Sequence, residues 1–289
     1  MTVRTILLAL LSSSLLVTGC ASSDGGPAGQ ATTPTAAASV AVVPAPTAIS
    51  LPPVAGRFSY QLGGAYQPAA GVTIVDRDWQ AAPDPELFSI CYLNAYQAQQ
   101  EAVGWWQQHH PDLLLHDRSG TLIVDTQWHE PLLDISTPAL RTAALGVVGG
   151  WLDSCAARGY RAAEADNLDS YTRSHGRLTL SDALAFAGLL TARAHRDHLS
   201  IGQKNTAEQS AAGRRAGFDF AIAEECQVYD ECGDYVASYG THLIEIEYTD
   251  QPRSAFETAC RQRAATASVL LRDRDVTPAG DRSHVETWC

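Results

Sequence analysis

R-A-A-E-A-D-N-L-D, residues 161–169, is a short strand-like run that stops on Glu164, Asp166, Asn167 and Asp169 before a turn. Acids crowded at one strand end disfavour each other's ionisation, so such crowding points to chemistry. Other runs end in the same way: G-V-T-I-V-D-R-D-W at 71–79, D-F-A-I-A-E-E-C at 219–226 and H-L-I-E-I-E-Y at 242–248. Several apolar segments therefore deliver carboxylates to what reads as one rim.

The strands that carry these acids belong to a regular series. β-prone runs at Phe58–Leu62, Val72–Asp76, Phe88–Leu93, Arg161–Asp166, Leu199–Lys204, Phe218–Glu224, His242–Tyr248 and Ser268–Arg272 are each bounded by Gly, Pro, Asp or Asn. Helical segments alternate with them. One is capped by Ser136 or Thr137, has Pro138 in its first turn and ends at Gly159. A second runs over Thr179–Arg196 with Asp182 near its positive end, and a third over Pro252–Ala265. Alternating strands and helices predict a parallel α/β sheet, and eight strands predict a (β/α)8 TIM barrel, whose active site lies at the carboxyl ends of the strands. An open doubly wound sheet is the alternative, but no G-x-G-x-x-G or P-loop follows any strand.

The barrel does not begin at the N-terminus. Arg4, the apolar run Ile6 to Val17 and the lipobox-like Val17-Thr18-Gly19-Cys20 read as a lipoprotein signal peptide over residues 1–19, cleaved to leave a lipidated Cys20. An ordinary secretory signal is the competing reading. Residues 20–56, rich in Ala, Pro, Ser, Thr and Gly, read as a flexible linker lifting the domain from the membrane. Residues 57–289 remain as one catalytic domain, near the roughly 250 residues usual for such a barrel. No other stretch is long and apolar enough to span a bilayer. The expected location is the cell envelope, with the domain tethered to the bacterial membrane and facing outward, as a monomer.

The formal net charge is −12, and Lys204 is the only lysine. So acidic a chain is a poor partner for nucleic acid and a suitable one for a cationic ligand. Apart from Cys20 there are six cysteines, an even number that suggests disulfides in an exported chain. The short loop favours Cys226 with Cys232; Cys260 with Cys289 and Cys91 with Cys155 complete the expected set. There is no C-x2-C and no H-E-x-x-H, so neither a metal nor another cofactor is expected.

Side chains two apart share a strand face. Glu164 and Asp166 thus lie together, as do Asp76 and Asp78. In H-L-I-E-I-E-Y, Ile244 and Ile246 are expected to pack on the helices, which turns Glu245 and Glu247 inward and puts Glu247 in the barrel mouth. Whether Glu224 or Glu225 faces inward is left open by the alternation. Lys204-Asn205 ends another strand, either as a structural ion pair or to set carboxylate pKa values and contact substrate. Tyr60, Gln61, Trp79, Tyr92, Asn94, Trp128 and Tyr248 lie at or just beyond strand ends; aromatic faces and amide donors suit sugar rings.

E-A-D-N-L-D-S-Y, I-G-Q-K-N, A-E-E-C-Q-V-Y-D-E-C and I-E-I-E-Y, with V-D-R-D-W, I-C-Y-L-N-A and W-H-E-P-L-L-D-I, give the chain a resemblance to glycoside hydrolase family 114, the endo-α-1,4-polygalactosaminidases. The resemblance covers most of residues 57–250. It implies a (β/α)8 barrel that cleaves α-1,4-linked galactosamine polymers with retention, with Asp166 as nucleophile and Glu224 as acid/base. Ala165 stands where the family often has proline. Retaining hydrolysis needs two carboxyl groups roughly 5–5.5 Å apart, one ionised and one protonated. Asp166 is expected to stay ionised beside Asn167 and Lys204, and Glu224 to have a raised pKa. Asp76, Asp78, Glu164 and Glu247 are expected to bind the ammonium groups of a partly deacetylated amino-sugar polysaccharide, with Tyr92, Asn167, Lys204, Asn205 and Tyr248 as further substrate contacts. A non-catalytic polysaccharide-binding lipoprotein of the same fold and a Schiff-base lyase or aldolase using Lys204 are the rival readings.

Overall fold

The structure is a computed structural model that describes residues 49–289. The expected signal peptide, Cys20 and the linker up to residue 48 lie outside the described residues. Residues 49–56 run without helix or strand into the first strand, and Pro52 is buried. No helix among the described residues is long and apolar enough to cross a membrane.

Eight parallel strands form the barrel: β1 (Arg57–Gln61), β2 (Val72–Asp78), β3 (Phe88–Asn94), β4 (Ala162–Asp166), β5 (Ser200–Lys204), β6 (Phe220–Glu224), β7 (Leu243–Tyr248) and β8 (Ser268–Arg272). Each lies within a residue or two of a run expected from the sequence. Helices α1 (Val103–His109), α2 (Pro138–Arg158), α3 (Leu180–Arg196), α4 (Ser210–Ala216), α5 (Cys232–Tyr239) and α6 (Arg253–Arg263) lie in the connections. Thr137 caps α2 by accepting from the Leu140 amide, and Gly159 ends it in the left-handed region. Thr179 and Asp182 form a reciprocal capping box at the start of α3.

Two apolar layers hold the barrel. Its lumen is filled by Phe58, Tyr60, Ile74, Ile90, Phe220, Ile222, Ile244, Ile246 and Leu270, and a larger cluster fills the space between strands and helices. Gly202 of β5 has a structural reason to lack a side chain, because a Cβ there would come 2.6 Å from the Phe220 ring.

The barrel seam lies between β1 and β8, and a ninth strand, β9 (Glu286–Trp288), pairs antiparallel with β8 there. The Trp288 indole donates to the Phe58 carbonyl at 2.8 Å, and buried Arg272 donates to the Tyr60 carbonyl at 3.1 Å. Side chains therefore stitch what no parallel ladder joins.

Three disulfides pair Cys91 with Cys155, Cys226 with Cys232 and Cys260 with Cys289, the set drawn from the sequence. The first ties β3 to α2, the second closes the loop after β6, and the third ties α6 to the chain's last residue. Cys226, Cys232 and Glu245 bring potential metal-ligand atoms within 4.8 Å. Both sulfurs are consumed by the disulfide, and Glu245 is paired with Arg263 at 2.7 Å, so this grouping offers no free ligand set.

Candidate active site

Four consecutive strands supply the centre. β4 ends on Glu164 and Asp166, β5 on Lys204, β6 on Glu224 and β7 on Tyr248, all on the lumen face. Beyond three of these ends the backbone turns through positive φ, at Asn167 (69°), Asn205 (52°), Thr206 (64°) and Glu225 (59°). Non-glycine residues in that region carry strain, which concentrates at functional sites. The turn after Glu224 also settles the open choice: Glu224 faces the lumen, and Glu225 turns away to pair with Arg274.

Lys204 is the hub. Its Nζ lies 2.9 Å from Glu164 Oε1, 3.3 Å from Glu224 Oε2 and 3.7 Å from Asp166 Oδ1, and it donates to the Tyr60 hydroxyl at 3.0 Å. The lysine is 3% exposed and Glu164 fully buried, whereas Asp166 and Glu224 keep 17% and 24% of their side chains in contact with solvent. A buried ammonium thus underlies two carboxylates that open to the mouth.

Each upper acid has its own clamp. Tyr92 donates to Asp166 Oδ2 at 2.8 Å and the Asn167 amide to Oδ1 at 2.8 Å. Asn205 donates from Nδ2 to Glu224 Oε2 at 2.9 Å and accepts from the Glu224 backbone amide at 2.9 Å. The Tyr248 hydroxyl donates to Glu224 Oε1. The ring of Tyr248 is covered by the Arg274 guanidinium 4.0 Å from its centroid.

These contacts reverse the protonation order expected from the sequence. Burial raises the Asp166 pKa to about 6, with help from the charges of Glu164 and Glu224; Lys204 offsets only part of it. Burial also acts on Glu224, but Lys204 and the hydrogen bonds from Tyr248 and Asn205 outweigh it and leave its pKa below the usual glutamate value. The proton therefore leaves Glu224 before Asp166 as pH rises. Burial alone would lower the Lys204 pKa, yet Asp166, Glu164 and Glu224 together hold it well above the ordinary lysine value. A firmly charged ammonium is a poor Schiff-base nucleophile, which removes the support for that reading.

Other expected contacts need correction. Glu247 does not enter the mouth: Ile244, Ile246 and Tyr248 take the lumen face of β7, and the opposite face carries Glu245, paired with Arg263 of α6, and Glu247, which accepts from the Gln227 amide at 3.0 Å. The lumen below the mouth is packed with large apolar side chains, and an Arg on α6 compensates the acid on the other face. Asp76, Glu164 and Lys204 are buried at 0–3% exposure and form the floor of the site rather than its open rim. Trp79 stacks on Trp151 outside the barrel at 5.0 Å. Asp78 does reach the rim, where Gln99 donates to it at 3.0 Å.

One acid escaped the sequence reading. The long connection after β3 carries a two-stranded hairpin, Val124–Asp125 with Glu130–Pro131, and half-buried Glu130 accepts from Asn94 Nδ2 at 2.7 Å. Asn94 in turn accepts from Asn167 Nδ2 at 3.0 Å, which links Glu130 to the Asp166 turn. Burial, reinforced by the charges of Asp166 and Asp125, raises the Glu130 pKa to about 7. The motif W-H-E-P-L-L-D-I contained the only signal. The same hairpin presents Trp128, 51% exposed.

Residues 38–289 match the sequence model of a family described as glycoside-hydrolase family GH114. No curated protein sequence matches the chain. Among solved structures, Ega3 of Aspergillus fumigatus, crystallised in complex with galactosamine, superposes with a TM-score of 0.69 at 21% identity, covering 86% of this chain and 100% of that one. The glycoside hydrolase domain of PelA from Pseudomonas aeruginosa gives a TM-score of 0.54 at 12% identity, covering 78% of this chain and 97% of that one. At these identities the likeness establishes a shared (β/α)8 fold.

Proposed function

Because the chain belongs to glycoside-hydrolase family GH114 and is a glycoside hydrolase, we propose that it cleaves α-1,4-linked, galactosamine-containing polysaccharide with retention, using Asp166 as nucleophile and Glu224 as acid/base. The observation that carries this reading is the pair of solvent-reaching carboxylates set 3.7 and 3.3 Å from one buried ammonium at the barrel mouth. Asp166 attacks the anomeric carbon, Glu224 protonates the departing oxygen, and Glu224 then activates the water that releases the sugar. The galactosamine in the Ega3 crystal supports an amino-sugar substrate. Asp78 on the rim suits its ammonium groups, and Trp128 offers a face to a sugar ring. Reducing-end release from partly deacetylated galactosaminogalactan, with NMR of the first-formed anomer, tests the reading; no release, or an inverted product, contradicts it.

The titration of the pair predicts an acidic optimum. The productive state carries one proton on the pair, as does the state in which that proton sits on Asp166, so kcat/KM follows the singly protonated population. The raised Asp166 value keeps this proton bound up to a pH of about 6, and the lowered Glu224 value moves the second protonation further into acid. The value of kcat/KM is expected to fall as pH rises through about 6. A profile unchanged well into the alkaline range contradicts this.

We further infer that residues 1–19 are a lipoprotein signal, that 20–56 form the linker and that the monomeric 57–289 domain acts outside the membrane, anchored at Cys20. Support comes from Val17-Thr18-Gly19-Cys20 and from the stretch behind it, residues 21–56, in which Asp24 is the single charged side chain. Cys20→Ala is expected to move the protein out of the membrane fraction or block its processing. A variant processed and retained like wild type contradicts the anchor.

A further inference from the structure

Asp76 is fully buried, and neither of its carboxyl oxygens meets a hydrogen-bond donor. It sits on the lumen face of β2, in register with Tyr60 of β1 and Ile90 of β3, and Ile90 is in register with Ala162 of β4. Glu164 is the next lumen-facing residue of β4, and its side chain lies within hydrogen-bonding reach of Asp76. Glu164 Oε1 is taken, by Lys204 Nζ at 2.9 Å and by the Tyr60 hydroxyl at 3.1 Å; Oε2 has no donor. Orphaned carboxyl oxygens thus face each other in a site closed to water.

Two facing carboxylates without donors cannot both remain charged there. A single proton between them satisfies an orphaned oxygen on each side. Lys204 and Tyr60 both meet Glu164 Oε1, whereas Asp76 has neither a donor nor a cation of its own, which makes Asp76 the proton carrier. We propose that Asp76 is a neutral carboxylic acid that donates to Glu164 Oε2, and so positions the carboxylate that holds Lys204 beneath Asp166 and Glu224. The charged groups facing Asp76 are Glu164 and Asp166 of β4 and Lys204 of β5, with Tyr60 beside it on β1 and Tyr160 at the entry to β4. Burial and the Glu164 charge both push its pKa up, in agreement with the geometry. With Asp76 neutral, the floor holds one ammonium and one carboxylate, and the catalytic pair answers to Lys204 without a further negative charge below it. This positioning role rests on the glycosidase reading; the protonation state itself does not.

The test separates the two. Infrared spectra of the full chain near neutral pH are expected to show a protonated-carboxyl band that Asp76→Asn removes, a readout that needs no turnover. Asp76→Asn keeps a neutral donor toward Glu164 and is expected to hold kcat within about threefold of wild type, whereas Asp76→Ala leaves Glu164 Oε2 without a donor and is expected to lower kcat by roughly tenfold or more with little change in KM. Absence of the band, or equal losses in the Asn and Ala variants, overturns the proposal. If Asp76→Asn does not fold, 13C NMR of aspartate carboxyls in the wild-type chain decides: one aspartate protonated near neutral pH supports it, and none contradicts it.

Discussion

Asp166→Asn is expected to abolish turnover on every substrate, by at least about 10⁴-fold, because an amide cannot attack as an anion. The side chain keeps its size, the Asn167 amide can still donate to its remaining oxygen, and its new NH2 can donate to the Tyr92 hydroxyl, so the fold is expected to survive. Glu224→Gln has a different signature. It is expected to lose roughly 10²–10⁴-fold on the polymer, where the leaving oxygen needs a proton, and far less on activated aryl galactosaminides in the glycosylation step. Azide is expected to restore the second step of that variant by attacking without base assistance. Steady-state and single-turnover rates with both substrate types check the contrast.

Lys204→Met is expected to be the most disruptive change to stability and to lower activity as well. The ammonium is 3% exposed and lies 2.9, 3.3 and 3.7 Å from three carboxylates, so its removal leaves buried negative charge uncompensated. Losing one partner of a buried ion pair costs about 3–5 kcal/mol. The loss has a definite pH dependence. Without the cation the folded-state pKa values of Asp166 and Glu224 rise, since Lys204 now lowers both. Carboxyls whose pKa is raised by folding destabilise the folded state above that pKa, and the penalty disappears as pH falls through it. Thermal unfolding of variant and wild type is therefore expected to differ most near neutral pH and to converge in acid. A constant difference across that range contradicts the account of Lys204 as the charge balance of the site.

Much of this arrangement is written in local patterns. Each barrel strand announced itself as a short β-prone run closed by a turn residue, and Thr137, Pro138 and Gly159 marked the ends of α2 as they stand in the fold. The acid-bearing ends of β4 and β6 reached one mouth because parallel strands present their carboxyl ends together. The face of β7 was not legible in the same way. Ile-Glu-Ile-Glu has the same period whichever face is inside, and the choice depends on Arg263, which stands ready on α6 to neutralise Glu245. The protonation order was hidden for a similar reason: it depends on Tyr248 and Asn205 converging on Glu224 from two other strand ends. Glu130 arrives on a hairpin of two-residue strands, and β9 has three residues, too few to show a period. What spacing cannot convey is which partner the fold brings across the barrel.

The central claim is the division of labour between Asp166 and Glu224, and covalent trapping tests it most directly. Glu224→Gln is incubated briefly with an activated aryl α-galactosaminide, denatured and digested, and the sugar-bearing peptide is located by mass spectrometry. The account predicts a glycosyl group on the Asp166 side chain, absent when Asp166→Asn is combined with Glu224→Gln. A sugar carried instead by Glu164, Glu225 or another acid, with Asp166 unmodified, would contradict it.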